Sequence, residues 1–69
     1  MKTVYDVMQF LKRFGTFIYT KDRVADLELM EDEIRELYSS HLIDIQDYQM
    51  ALMILRQEIS KEKRNRQQM

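Results

Sequence analysis

Leu37-Tyr38-Ser39-Ser40-His41-Leu42-Ile43-Asp44-Ile45-Gln46-Asp47-Tyr48 holds the end of one helix, a turn and the start of another. Leu37 and Tyr38 complete an apolar stripe with Val24, Leu27, Met30 and Ile34. At the helical step these six fall within an arc of about 140°, a core-facing face. Residues 39–43 make the turn, with the helix before it running to about Ser40. Asp44 caps the next helix and Asp47 stands three residues on. Ile43 and Tyr48 occupy the two positions of a hydrophobic staple. Downstream, Ile45, Tyr48, Leu52, Leu55 and Ile59 follow a three-four spacing, the seam of a packed antiparallel helix. The stretch therefore predicts a helical hairpin.

Upstream of the hairpin, a first helix begins at Thr3. Thr3 can cap the free amides and Asp6 sits where a capping box needs it. Val4, Val7, Met8, Phe10, Leu11 and Phe14 share an arc of about 160°. Gly15 ends this helix, since glycine readily takes the left-handed conformation after a last turn. Thr16-Phe17-Ile18-Tyr19-Thr20 is β-branched or aromatic, but no second strand could pair with it. An ordered loop is expected, with Phe17 and Ile18 plugging one end of the core. Thr20 or Asp22 then caps the second helix. Two short loops between three helices predict an all-α, antiparallel three-helix bundle, up-down-up, over residues 1–60. Residues 61–69 lack apolar periodicity and are expected to form a frayed, basic C-terminal tail.

Composition excludes much. The 69 residues suffice for one domain. The chain has no cysteine, which removes disulfides, zinc–thiolate sites, iron–sulfur clusters and cysteine nucleophiles. Asp6 and Gln9 interrupt the early apolar residues, so no signal-peptide pattern is present. No apolar run approaches the roughly 20 residues that span a bilayer. With no proline and one glycine, the composition permits helix throughout. Of the usual devices that stabilise small domains, only association with another chain stays open.

Catalytic chemistry finds no constellation. His41 is the one histidine, and a triad or histidine metal site needs partners the chain lacks. The plainer reading is a polar residue at a helix C-terminus. Glu28, Asp32 and Glu36 form a carboxylate ladder, with Glu31 and Glu33 nearby. Di-iron bundles, however, pair Glu-x-x-His motifs, and this chain has none. No catalytic residue, metal ligand or cofactor is expected. Leu29 stands off the stripe of the second helix, and Met50, Met53 and Ile54 off the seam of the third. These four are the candidate self-association surface.

Charge placement is the most informative feature. Lys12, Arg13, Lys21 and Arg23 against Asp22 make residues 12–23 net +3, and residues 56–69, which include Lys61, Lys63, Arg64 and Arg66, are also +3. The remainder carries −7, within an overall charge of −1. In an up-down-up bundle both basic blocks share one pole with the Phe17–Tyr19 loop. Cations for phosphates and rings for unpaired bases are what a single-stranded nucleic-acid surface needs. Its expected residues are Lys12, Arg13, Tyr19, Lys21, Arg23, Lys61, Lys63, Arg64 and Arg66. The competing account is that cations near helix C-termini favour the helix dipole and aid solubility.

Phe14-Gly15-Thr16-Phe17-Ile18-Tyr19-Thr20, then Asp22-Arg23, Leu27-Glu28-Leu29-Met30-Glu31-Asp32-Glu33 and Arg35-Glu36-Leu37-Tyr38 resemble the YqgQ family of small, uncharacterised bacterial proteins. The resemblance covers nearly the whole chain. It implies a cytoplasmic three-helix bundle, and it carries over no activity and no catalytic residues. Together these readings predict a non-catalytic binding protein whose partner is single-stranded RNA or DNA. The alternative is a protein-interaction module that forms a homodimer or docks on a larger protein. No membrane partner or small-molecule substrate is expected.

Overall fold

Three helices form at the expected places: α1 (Val4–Lys12), α2 (Arg23–Ser39) and α3 (Ile45–Gln67). The computed structural model describes residues 1–67. The caps are those their chemistry calls for. Thr3 accepts from the Asp6 amide at 3.2 Å, and the Asp6 carboxylate accepts from the amides of Thr3 at 3.1 Å and Lys2 at 2.8 Å. Asp22, not Thr20, caps α2 through the amides of Val24 and Ala25. Asp44 accepts from the Asp47 amide at 2.8 Å.

Both α1 and α2 end in the same backbone device. After α1 the Thr16 amide reaches back to Leu11 at 3.1 Å and the Gly15 amide to Lys12 at 3.0 Å. Gly15 has φ +81°. After α2 the Leu42 amide donates to Leu37 at 2.9 Å and His41 to Tyr38 at 3.0 Å, with His41 at φ 62°. This is the Schellman arrangement, whose left-handed residue is usually glycine. His41 thus sits where the backbone prefers no side chain at all.

Helices α2 and α3 make the larger part of the helix–helix contact and run antiparallel. Arg56 meets Glu31 at 3.3 Å and Arg66 meets Asp22 at 2.7 Å, which brings the end of α3 level with the start of α2. The Tyr38 and Tyr48 rings stack across the turn, centroids 4.2 Å apart. Leu27, Ile34 and Leu55 are fully buried between the helices, with Val7 and Leu11 of α1 added from one side. Burial of such side chains contributes about 1.5–3 kcal/mol each.

The bundle is as expected, but α1 takes a different path from the up-down-up reading. Its first turn shares a surface depression with Arg23, Gln57 and Glu58. A second depression runs the length of α1 beside Asp47, and Thr16, just beyond the last turn, donates to Glu33 at 3.0 Å, ten residues farther along α2 than Arg23. Helix α1 therefore runs in the same sense as α2 and opposite to α3. Residues 16–22 must then return from the level of Glu33 to that of Asp22. Eleven helical residues rise about 16 Å, and six extended residues cover about 20 Å. The β-branched and aromatic residues at 16–20 suit that extended run.

Alternation follows from extended backbone. Ile18 turns inward and packs on the core, whereas Phe17 is 71% and Tyr19 68% exposed. The expected plug is thus Ile18 alone. Three further positions depart from the helical stripes. Phe14 lies past the last turn of α1 and rests half-exposed on Phe10, ring centroids 5.4 Å apart. Ile45, at the first residue of α3, is exposed. Ile54, expected on an outer face, is buried, because α1 covers that side of α3. The frayed tail is also corrected: α3 continues to Gln67. Its Lys, Glu, Arg and Gln residues are good helix formers, and Arg66 ties it to Asp22. Gln68 and Met69 of the expected tail lie outside the described residues.

Candidate nucleic-acid interface

The path of α1 divides the expected basic pole. Lys12 lines a small cavity that shares Met8, Ile18 and Met30 with the depression of Tyr19, Lys21 and Arg23, and Arg13 lines a depression with Lys2 and Asp6. The Lys12 ammonium stands 5.6 Å from the centre of the Phe17 ring, and Arg13 lines the same depression as Asp47. Neither cation lines the depression of Lys21 and Arg23. Lys21, Arg23 and Arg66 do come together, at the start of α2 and the end of α3. Lys61, Lys63 and Arg64 are exposed on the last turns of α3.

Local chemistry sets each group. Lys21 has φ 71°, a left-handed residue that swings the chain from the extended run into the Asp22 cap. Thr20 is fastened by Asp26, whose Oδ1 accepts from the Thr20 hydroxyl at 2.6 Å and amide at 2.7 Å. Asp26 is 9% exposed, and it holds the loop that carries Tyr19. Lys21, Arg23 and Tyr19 line one depression with Asp26 at its base.

Ion pairs temper the positive field. Arg23 lies 3.6 Å from Glu58, and Arg66 is hydrogen-bonded to Asp22. That bond to the Arg66 guanidinium, with the Ala25 amide next, holds the Asp22 carboxyl below its ordinary value of 3.8. Asp6 is lowered too, first by the Lys2 amide and then by that of Thr3. The pairs are exposed, and such pairs exchange readily with water and competing anions. Among the described residues, Lys61, Lys63 and Arg64 have no carboxylate within 4.0 Å.

Sequence reasoning missed Lys2 and Tyr5, which line the depression on the other side of Arg23. Tyr5 is 60% exposed. Its place off the α1 stripe was a signal for exposure, but nothing local told which residues would stand beside it. Asp26 was missed as well, since it read as one acid among many.

The expected association surface is also divided. Met50 and Met53 are exposed and line a shallow depression on α3 with Gln46 and Gln49. Leu29 is exposed on α2, outside that depression, and Ile54 is buried. Among the described residues, no group of three His, Cys, Asp or Glu side chains could hold a metal ion, and no helix is long and apolar enough to cross a membrane. A small cavity lined by Met8, Leu11, Ile18 and Met30 among others has about 10 Å³, room for about one water.

Fold and surface together define a small helical bundle whose conspicuous features are on its outside. The chain belongs to the YqgQ-like family, whose profile matches residues 1–61. It is similar to a Bacillus subtilis (strain 168) protein named as uncharacterized protein YqgQ, 42% identical over 66 residues, covering 96% of this chain and 93% of that one.

Proposed function

We propose that this protein is a non-catalytic, cytoplasmic binder of single-stranded RNA or DNA, acting through the end of the bundle where α2 begins and α3 ends. The observation that carries the reading is Tyr19, 68% exposed on a loop pinned by Asp26, beside Lys21 and Arg23. A ring held outward among cations can stack on an unpaired base while the cations meet its phosphates. Lys61, Lys63, Arg64 and Arg66 extend the positive surface along α3. The acidic ladder Glu28, Asp32 and Glu36 lies farther along α2, repels phosphates and confines approach to this end.

Titration of a labelled single strand tests this. Neutralising about four phosphates gives a log–log salt slope near −3. Single strands bind better than duplex, since rings stack only on unpaired bases. Replacing Lys21, Arg23, Lys63 and Arg64 with glutamine flattens the slope. Replacing Lys12 and Arg13 flattens it less, because neither lines the depression of Tyr19, Lys21 and Arg23. Absence of binding to any single strand at low salt sinks the proposal.

A second reading, a protein-interaction module that forms a homodimer or docks on a larger partner, has one observation in its favour. Met50 and Met53 expose adaptable apolar surface on α3. Light scattering that gives twice the monomer mass, reduced by Met53→Lys, would select it.

A further inference from the structure

We infer that a bound strand continues from Tyr19 across Arg23 into the depression beside the first turn of α1, where Tyr5 is a second stacking ring and Lys2 a further phosphate contact. The inference rests on the proposed single-strand binding and names its second subsite. Arg23 lines both depressions, with Tyr19 and Lys21 on one side and Tyr5 and Lys2 on the other. The two rings therefore flank one guanidinium, the alternation of base platform and phosphate contact that a single strand presents. The second depression is open, and its floor is built by Val4 and Ile54, both buried. Its one acid is Glu58, which faces Arg23 at 3.6 Å with both side chains partly exposed. A pair so long and wet yields to a phosphate. Tyr5 is free to serve because the α1 stripe needs it nowhere: Val4, Val7 and Leu11 make the buried face.

The experiment is fluorescence anisotropy of the full chain with a fluorescein-labelled oligothymidylate of about ten nucleotides, long enough to exceed the site of a small binding domain. Tyr5→Ala weakens binding about tenfold, whereas Tyr5→Phe keeps it, since the stacking ring is preserved. Lys2→Gln flattens the salt slope by about 0.7, the loss of one phosphate contact. Phe17→Ala, an exposed ring beside Lys12 and outside both depressions, leaves affinity unchanged. Wild-type binding that is indifferent to Tyr5→Ala overturns the second subsite and leaves the proposed function standing. Equal losses for Tyr5→Ala and Phe17→Ala also overturn it. No binding by the wild type overturns both.

Discussion

The two connections of this bundle solve opposite problems. Residues 40–44 reverse the chain in the shortest possible way. Each part of that turn is local: the His41 and Leu42 amides close α2, the Asp44 side chain opens α3, and Tyr38 stacks on Tyr48. Residues 16–22 instead carry the chain back along α2 so that α1 and α2 run in the same sense. This connection has one tie nearby, Asp26 to Thr20, and two from far along the chain: Glu33 receives the Thr16 hydroxyl and Asp22 meets Arg66. A turn made of local bonds forms with its helices. A strap tied by Glu33 and Arg66 closes only once the hairpin does.

The contrast can be broken most forcefully in the shared core. Leu27→Ala removes a fully buried side chain at a cost of about 2–5 kcal/mol. A domain of this size holds roughly 3–10 kcal/mol in all, so urea denaturation should show both connections lost together at a much lower midpoint. Loss of the strap alone would mean the hairpin is a separate folding unit.

Asp26→Ala comes next. It leaves the Thr20 amide and hydroxyl without their buried acceptor, at about 1–3 kcal/mol. Hydrogen exchange should quicken at residues 16–22 and change little in the α2–α3 turn. Equal acceleration in both places would refute the division into local turn and distant strap.

The turn can be sharpened by backbone chemistry. His41→Gly relieves a left-handed φ of 62° and should raise stability by about 0.5–1 kcal/mol, or several degrees in Tm. Gly15→Ala does the reverse by about 1 kcal/mol; a Cβ there meets nothing within 4 Å, so the cost is backbone strain at φ +81°. A stabilising Gly15→Ala would show that this position is not left-handed in solution.

The smallest effect is electrostatic and belongs to the caps of α1 and α2. Asp22 and Asp6 both have carboxyls lowered below their ordinary 3.8. Their contribution is present in full above that value and is lost as pH falls through the lowered one. Tm should therefore decline as pH drops from about 5 to about 2. Asp22→Asn should show a lower Tm near neutrality and a shallower decline. A decline as steep as that of the wild type would mean Asp22 takes no part.

Helix number, capping and the α2–α3 hairpin were legible because periodicity and caps act within a few residues. Thr3, Asp6, Gly15, Asp44, Ile43 and Tyr48 take the positions their local chemistry requires. The direction of α1 was not legible. Thr16–Thr20 could be recognised as a loop, but a loop of that length permits a tight reversal as well as a crossing. The candidate site inherited this limit: Lys21, Arg23 and Arg66 meet as the hairpin requires, while Lys12 and Arg13 line adjoining depressions.

The amino-acid sequence by itself determined three amphipathic helices, the caps of the first and third, and that the second and third fold back on each other. Only the tertiary structure decided that α1 lies alongside α2 in the same sense, that Ile54 is covered, that α3 runs on to Gln67, and that Tyr5 and Lys2 stand beside Arg23. The reason is range. Hydrogen bonds of caps and turns span three to five residues. The sense of α1 depends on Glu33 finding Thr16 and on Val4 packing beside Ile54 across space, and no short-range pattern encodes that choice.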